Sequence, residues 1–413
     1  MTSSEHDVIV IGGGPAGSTA ATVLAQHGRR ALVLEKSKFP RYHVGESLMP
    51  LCYFPLERLG LLERMRDSHF PVKYSVQFVR QTGEVSVPFY FIDYKNEPSS
   101  VTWQVLRSEF DQMLLDNARD HGAEVREEMT VTEMLRDGEK VVGVRATDAA
   151  GTTHVFRAPV TIDASGRDAF AIKKNGWQVR DPVLNKVAIW TYYRGAVRDP
   201  GRDEGATTVA YLPNKGWFWY IPLPDDMVSV GVVAERDYLF REGRDLKTIL
   251  QREVRVNPWV ERHLAPGTDV GPYRITSEFS YRSQKCASDG LVLVGDAFGF
   301  LDPVFSSGVL LALKSGELAA DAVHAALGDG DVSASRFASY GEHLSRGMDN
   351  MRTLVCAFYD QAFSFRQVIE RGGESARSDI NECLTGNVFR DYDGLFALVK
   401  EFLRDGMPLR RSA

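Results

Sequence analysis

The stretch VIVIGGGPAGSTAA, close to the N-terminus, constrains the fold more than any other part of the chain. Asp7–Ile11 is a short β-branched run, Gly12–Gly17 a turn, and Pro15–His27 an alanine-rich helical segment. Gly12, Gly14 and Gly17 form Gly-x-Gly-x-x-Gly between that strand and that helix, the context in which the motif binds a dinucleotide. The first glycine permits a tight turn and the second lets the backbone approach a pyrophosphate. The third lets helix and strand pack closely, with the phosphates on the helix N-terminus. Arg30–Lys36 reads as a second buried strand. It places Glu35 23 residues after Gly12, where a carboxylate accepts hydrogen bonds from a ribose diol. The motif alone leaves NAD and FAD both open.

Further along, 56–67 has helical periodicity, and 72–87 and 102–105 look extended. Ser108–Gly122 is a helix with Gly122 as a plausible C-cap. Residues 185–235 hold recurring strands spaced as in an antiparallel sheet. From Ser307 to about residue 405 the pattern is helical, with Gly328–Asp331 as the clearest loop. The expected fold is α/β (α+β). A Rossmann-like nucleotide-binding domain is built from 1–72, 101–184 and 284–340. A sheet-rich substrate domain from 73–100 and 185–283 is inserted into it, and 341–413 form a helical C-terminal segment.

Composition narrows the function classes. A net charge of −6 argues against a nucleic-acid partner, which calls for a basic face. Cys52, Cys286, Cys356 and Cys383 are scattered without CxxC spacing, so neither a zinc site nor a disulfide framework is expected. The N-terminus lacks a basic region followed by an apolar one. The apolar runs are interrupted well before the ~18 residues of a membrane span. A cytoplasmic protein with reduced thiols, no metal and no membrane partner is expected.

A second glycine-aspartate element, VLVGDAFG, carries Gly295, Asp296 and Gly299. With DASG (Asp163–Gly166) and RSEFD (Arg107–Asp111) it resembles the FAD pattern of the flavoprotein family that includes para-hydroxybenzoate hydroxylase and geranylgeranyl reductase. That resemblance implies FAD as the nucleotide and Asp296 and Arg107 as ligands. Ala16, Lys36 and Asp163 join the cofactor set.

GWFWYIPLP (216–224) packs four aromatics into consecutive positions. Strand alternation puts Trp217, Trp219 and Ile221 on one face and Phe218 and Tyr220 on the other, with Pro222 ending the ladder or marking an edge. A strand buried on both faces explains this pattern equally well. The motif also resembles the Trp-x-Trp-x-Ile-Pro signature of the flavin-dependent halogenases. A second signature of that family, Phe-x-x-Pro-x-x-Ser-x-Gly, is matched by Phe300, Pro303, Ser306 and Gly308. HVGESLMP supplies the family's GES turn (Gly45, Glu46, Ser47), and Lys73 stands where its lysine is expected.

The resemblance implies an FADH2-dependent enzyme supplied by a separate flavin reductase. Reduced FAD, O2 and chloride or bromide make hypohalous acid, and Lys73 holds or captures the halogen for substitution on an aromatic ring. Pro303, Ser306, Ser307 and Gly308 cradle the halide, Gly308 also touching the cofactor. Trp217 and Trp219 stand between flavin and substrate, blocking direct oxygen transfer. Phe305 replaces the glutamate of the tryptophan halogenases, which points to phenols or pyrroles, free or tethered to a carrier protein. Two other readings stay open: an FAD-dependent aromatic monooxygenase or geranylgeranyl-reductase-like oxidoreductase, and a non-catalytic flavin-binding protein.

Overall fold

In the strands Val8–Ile11, Ala31–Leu34 and Val160–Asp163 every residue is buried, and the first two are wholly aliphatic. Parallel strands covered on both faces demand such continuous runs. The computed structural model describes residues 6–213, 216–360 and 363–403, and these strands lie at the centre of its six-stranded sheet. The strand order is Ala287–Ser288, Leu291–Leu293, Val160–Asp163, Val8–Ile11, Ala31–Leu34, Glu124–Arg126. All neighbours are parallel except the first pair.

Alternation divides the two faces. Val8, Val10, Ala31 and Val33 join the main core with the helices Pro15–Gln26, Arg107–Asp120 and Gly308–Asp329. Ile9, Ile11, Leu32 and Leu34 pack on a three-stranded antiparallel sheet through Val144, Ala146 and Phe156. Gly17 sits where the first helix touches the strand: a Cβ there would stand 1.9 Å from the Gly12 carbonyl oxygen.

A nine-stranded sheet makes the second layer. Its centre runs from Gln178–Arg194 through Met227–Ala234 and Trp217–Leu223 to Thr207–Tyr211, then Ser75–Val79. Trp217–Leu223 is buried along its whole length. Its Trp217, Trp219 and Ile221 enter the main core, whereas Phe218 and Tyr220 enter a second core covered by the helices Leu246–Val254 and Pro258–Leu264. Of the indole strand, the adjacent Thr207–Tyr211 strand reaches only Trp217–Tyr220, so on that side Pro222 stands past the end of the ladder at a local edge.

Two details differ from expectation. The 56–67 segment is two helices, Tyr53–Arg58 and Leu62–Arg66, because Gly60 takes φ +73 and breaks the turn between them. Gly328 and Asp329 belong to the long helix, which ends on Gly330 in the left-handed conformation. Residues 404 and 405, expected as the end of the helical run, lie outside the described residues. No helix among the described residues is long and apolar enough to cross a membrane.

Candidate active site

One cavity of about 710 Å3 connects the glycine turn to the indole strand. Its size falls in the range of small-molecule and cofactor sites. At one end lie Gly12, Gly14, Ala16, Glu35 and Lys36. The first helix starts there with no side-chain cap on its N-terminus, leaving backbone N–H groups for an anionic ligand. Glu35 accepts hydrogen bonds from Gly13 N (2.7 Å) and Ser37 N (2.8 Å). Two oxygens offer about four lone-pair sites, so capacity remains for a diol. Lys36 is ion-paired with Asp168.

Arg107 and the GES turn form the middle of the cavity. The Arg107 guanidinium grips Asp111 through Nε (2.7 Å) and Nη2 (2.9 Å), and its Nη1 donates to the carbonyls of Val44 (2.8 Å) and Gly45 (3.2 Å). A buried bidentate pair of this kind fixes a loop rigidly. Glu46 is fully buried and accepts from the Tyr192 hydroxyl at 2.7 Å, while its Oε2 is without a hydrogen-bond partner among the described residues. Burial pushes its carboxyl up to about 7. Asp296, in the turn Gly295–Ala297, is likewise pushed up to about 6 by burial, against the pull of Arg167 and Arg107.

Lys73 lies behind this turn, in the short strand Val72–Lys73, with 2% of its surface exposed. Nζ donates to Ser47 Oγ (2.8 Å) and the Leu48 carbonyl (3.0 Å), and sits 5.6 Å over the Phe91 ring. Among the described residues it makes no ion pair with a carboxylate. Burial lowers it from 10.5 to about 7. Two acceptors satisfy the two N–H groups of a neutral amine and leave its lone pair unused.

The far end is aromatic. The rings of Trp217 and Trp219 are 6.2 Å apart, and Trp190 adds a third indole 6.1 Å from Trp219. Gly231 pairs with both Trp190 and Trp219 in the sheet, and a Cβ there would meet the Trp219 ring at 2.3 Å. Beside the indoles, Pro303–Phe305 form a single turn and Ser306 adopts the left-handed conformation at φ +58. Strained backbone of this kind concentrates at functional sites. The 22-residue helix Gly308–Asp329 begins at once with Ser307 as an N-cap that makes no side-chain capping bond, so its N–H groups suit an anion. Phe305 packs on Phe358 and Phe365.

Gly45, Glu46, Ser47, Arg107, Asp296, Trp217, Trp219, Pro303, Ser306 and Gly308 all line the cavity with the glycine turn. Gly17, Asp163, Ser307 and Lys73 do not. Gly17 packs inside the first helix. Asp163 accepts from Ser165 N (2.9 Å) and Ala171 N (2.7 Å), holding the 164–168 loop that itself lines the cavity. Ser307 is buried under the helix start. Lys73 meets the cavity lining at Ser47, to which its Nζ donates. Sequence reasoning missed Trp190 and Tyr192. Alternation along VAIWTYY places both on the same face, so the signal was present. It also missed Asp302 and Tyr359, whose pairing across 57 positions has no local signature.

The uncapped helix start, the Glu35 carboxylate with spare capacity and the buried, cavity-lining Asp296 fit FAD lying along this cavity. The FAD-dependent oxidoreductase family model matches residues 7–173, and the tryptophan halogenase family model matches residues 91–364. The chain is 32% identical to a 1H-pyrrole-2-carbonyl-[peptidyl-carrier protein] brominase of Pseudoalteromonas luteoviolacea over 86% of each chain. It is 29% identical to a 1H-pyrrole-2-carbonyl-[peptidyl-carrier protein] chlorinase of Pseudomonas fluorescens, covering 94% of this chain and 91% of that one. Among solved structures, the flavin-dependent brominase Bmp2 superposes with a TM-score of 0.87 at 30% identity, over 96% of this chain and 97% of that one. The myxobacterial chondrochloren halogenase CndH superposes with a TM-score of 0.81 at 32% identity, over 99% of each. This chain belongs to the flavin-dependent halogenases.

Proposed function

We propose that the chain halogenates an electron-rich aromatic ring, a pyrrole or a phenol, presented on a carrier protein, and that Lys73 delivers the halogen. The observation that carries this reading is Lys73 itself: a buried amine without a carboxylate partner, lowered to about 7, with two acceptors that suit its neutral form. Desolvation of this kind activates a lysine as a nucleophile near neutrality.

Reduced FAD with O2, when bound, supplies the oxidising power that turns halide into hypohalous acid. Gly12, Gly14 and Ala16 would hold its pyrophosphate end, Glu35 and Lys36 its ribose, and Asp296 with the GES turn its ribityl and ring region. Asp163 supports this site through the 164–168 loop. Ser306 and Gly308 would hold the halide, with Pro303 and Ser307 shaping the cradle. The Lys73 nitrogen then attacks hypohalous acid. An N–X bond forms, the O–X bond breaks, and the amine proton leaves with the oxygen as water. The ring carbon takes the halogen, the N–X electron pair returns to nitrogen, and the proton lost from the ring is matched by one taken up at nitrogen, which restores the amine. Trp217 and Trp219 exclude the organic substrate from the flavin side.

Phe305 leaves no carboxylate at that loop position to assist substitution. A pyrrole or phenol needs less assistance, which supports such a ring over a less activated one. The names of the two aligned carrier-protein halogenases support a tethered pyrrolyl group in particular. A flavin reductase acts as the partner that renews FADH2.

The test supplies reductase, O2 and bromide with the pyrrolyl group free and carrier-bound. A mass gain of one bromine for hydrogen is expected on the carrier-bound ring. Lys73→Met should lose that product while O2 is still consumed and hypobromite becomes trappable in solution. Hydroxylated product alone would sink the proposal in favour of a monooxygenase.

A further inference from the structure

The Trp217 indole is tied to the C-terminal helices and to the 302–308 loop through one hydroxyl. Its Nε1 donates to the Tyr359 hydroxyl oxygen at 2.8 Å, and that hydroxyl donates to Asp302 Oδ2 at 2.7 Å. An indole nitrogen only donates, so the Tyr359 oxygen must accept and its proton is left for Asp302. The other carboxylate oxygen, Oδ1, accepts from Val304 N at 3.2 Å inside the Pro303–Phe305 turn. Ser280 Oγ accepts from the Asp302 backbone at 3.0 Å. Asp302 is 1% exposed. Three elements therefore meet at Tyr359: the indole strand, the loop that begins the long helix, and the end of the helix Ala338–Tyr359.

We infer that Tyr359 and Asp302 are positioning residues. Together they lock the Trp217 ring and the 302–308 loop in one fixed relation, so that oxidised halogen is passed on to substrate rather than lost. The inference rests on the reading of Trp217 as part of the wall between flavin and substrate. With both carboxylate oxygens accepting, the lock requires ionised Asp302. Burial pushes this carboxyl up to about 6, opposed by Tyr359, the Val304 amide and the charge of Lys186. Lys186 lies 4.7 Å over the Tyr359 ring and is paired with Glu235, and Cys356 faces the carboxylate from the same helix as Tyr359. Protonating either oxygen removes an acceptor, so the lock loosens as pH falls below about 6.

Tyr359→Phe keeps the ring and deletes the hydroxyl. Two readouts are compared with the parent and with Trp217→Phe. The first is the ultraviolet resonance Raman marker of indole N–H hydrogen bonding in the flavin-free protein, assigned by its loss in Trp217→Phe. The second is the share of consumed FADH2 recovered as halogenated product. In Tyr359→Phe the marker should shift to that of an unbonded indole. The product share should fall about fivefold, the population change expected for one buried hydrogen bond, with FADH2 consumption unchanged. An unshifted marker overturns the lock outright. A shifted marker with unchanged product share, where Trp217→Phe does lower it, overturns the functional inference. If Trp217→Phe leaves the share unchanged, the wall reading fails while the marker still decides the lock. Asp302→Asn provides a second arm. Protonation of Lys73 lowers product in both proteins as pH falls, so the readout is the ratio of the parent's product share to the variant's, which should decline below about pH 6; a ratio that is flat across this range overturns the role of Asp302.

Discussion

The two faces of Trp217–Leu223 are equally dry, and they do different work. Phe218 and Tyr220 are 0% and 2% exposed, and Trp217 and Trp219 are 2% and 7% exposed. Burial therefore cannot separate them. The Phe218 face packs on aliphatic side chains such as Val79, Val230 and Val232 and on two helices. The indole face has each ring nitrogen bonded, Trp217 to Tyr359 and Trp219 to Ser229 Oγ at 3.0 Å, and borders the cavity. One face is a core that could be refilled by other apolar groups. The other holds bulk at fixed positions. The difference lies in what the buried atoms touch.

The strongest way to break the comparison is Gly231→Val. Its Cβ would stand 2.3 Å from the Trp219 ring and 2.6 Å from Trp190 Cβ, so the side chain collides with two indoles in the middle of the sheet. Overpacking usually costs about 1–3 kcal/mol, and this collision with two indole side chains at once should exceed the roughly 3–5 kcal/mol of emptying an aromatic core site. Denaturant unfolding should show the lowest midpoint of the set, with halogenated product lost as well. A midpoint within error of the parent would mean that the two rings are not wedged as described.

Next come Phe218→Ala and Trp219→Phe, which should separate stability from selectivity. Phe218→Ala empties a fully buried site and should cost about 3–5 kcal/mol. The soluble fraction should keep the parent's ratio of halogenated product to FADH2 consumed. Trp219→Phe should cost roughly 1–2 kcal/mol, because an aromatic remains, yet lower that ratio. Equal losses of both quantities in both variants would erase the distinction between the faces.

How much of this was legible in the sequence follows from the same contrast. The glycine turn, its flanking strand and helix, and the face assignment within WFWYIPLP depend on local periodicity, and the structure agrees with it, the strand beginning and the helix ending one residue inside the expected bounds. The break at Gly60 was missed because apolar spacing runs through it, whereas the backbone turns on a single φ. Asp302 and Tyr359 could not be paired beforehand, since nothing within a few residues of either announces a partner 57 positions away. Trp190 was within reach, because it shares its strand's parity with Tyr192.

Lys73 extends the comparison to charge. Its folded-state pKa lies at about 7, below the 10.5 of an unconstrained lysine, because burial penalises the ammonium. Between those values the unfolded chain binds one proton more than the folded one, so this group makes stability rise with pH across that window. Lys73→Met removes the penalty. The variant should melt above the parent at pH 6, and the gap should narrow as pH is raised from about 7 towards 10. Product formation by the parent should rise through about pH 7 as the amine becomes neutral. A gap that is constant with pH would mean that Lys73 is charged and hydrated in the fold.

The smallest effect belongs to Tyr220→Phe, on the core face. The Tyr220 hydroxyl donates to the Val197 carbonyl at 2.7 Å, and its ring stands 5.1 Å from Trp259 in an edge-on contact. Phenylalanine keeps the ring contact and deletes one hydrogen bond, which costs about 1 kcal/mol. The lost hydroxyl lies on the opposite side of the sheet from the cavity, so the product ratio should not move. Tyr359→Phe removes the same chemical group from a ring just as aromatic, with a comparable stability cost. If the two substitutions match in stability and differ in product ratio, the asymmetry between the faces comes from the contacts of individual hydroxyls. If both lower the ratio, the sheet transmits disturbance from either side and the two faces are not independent.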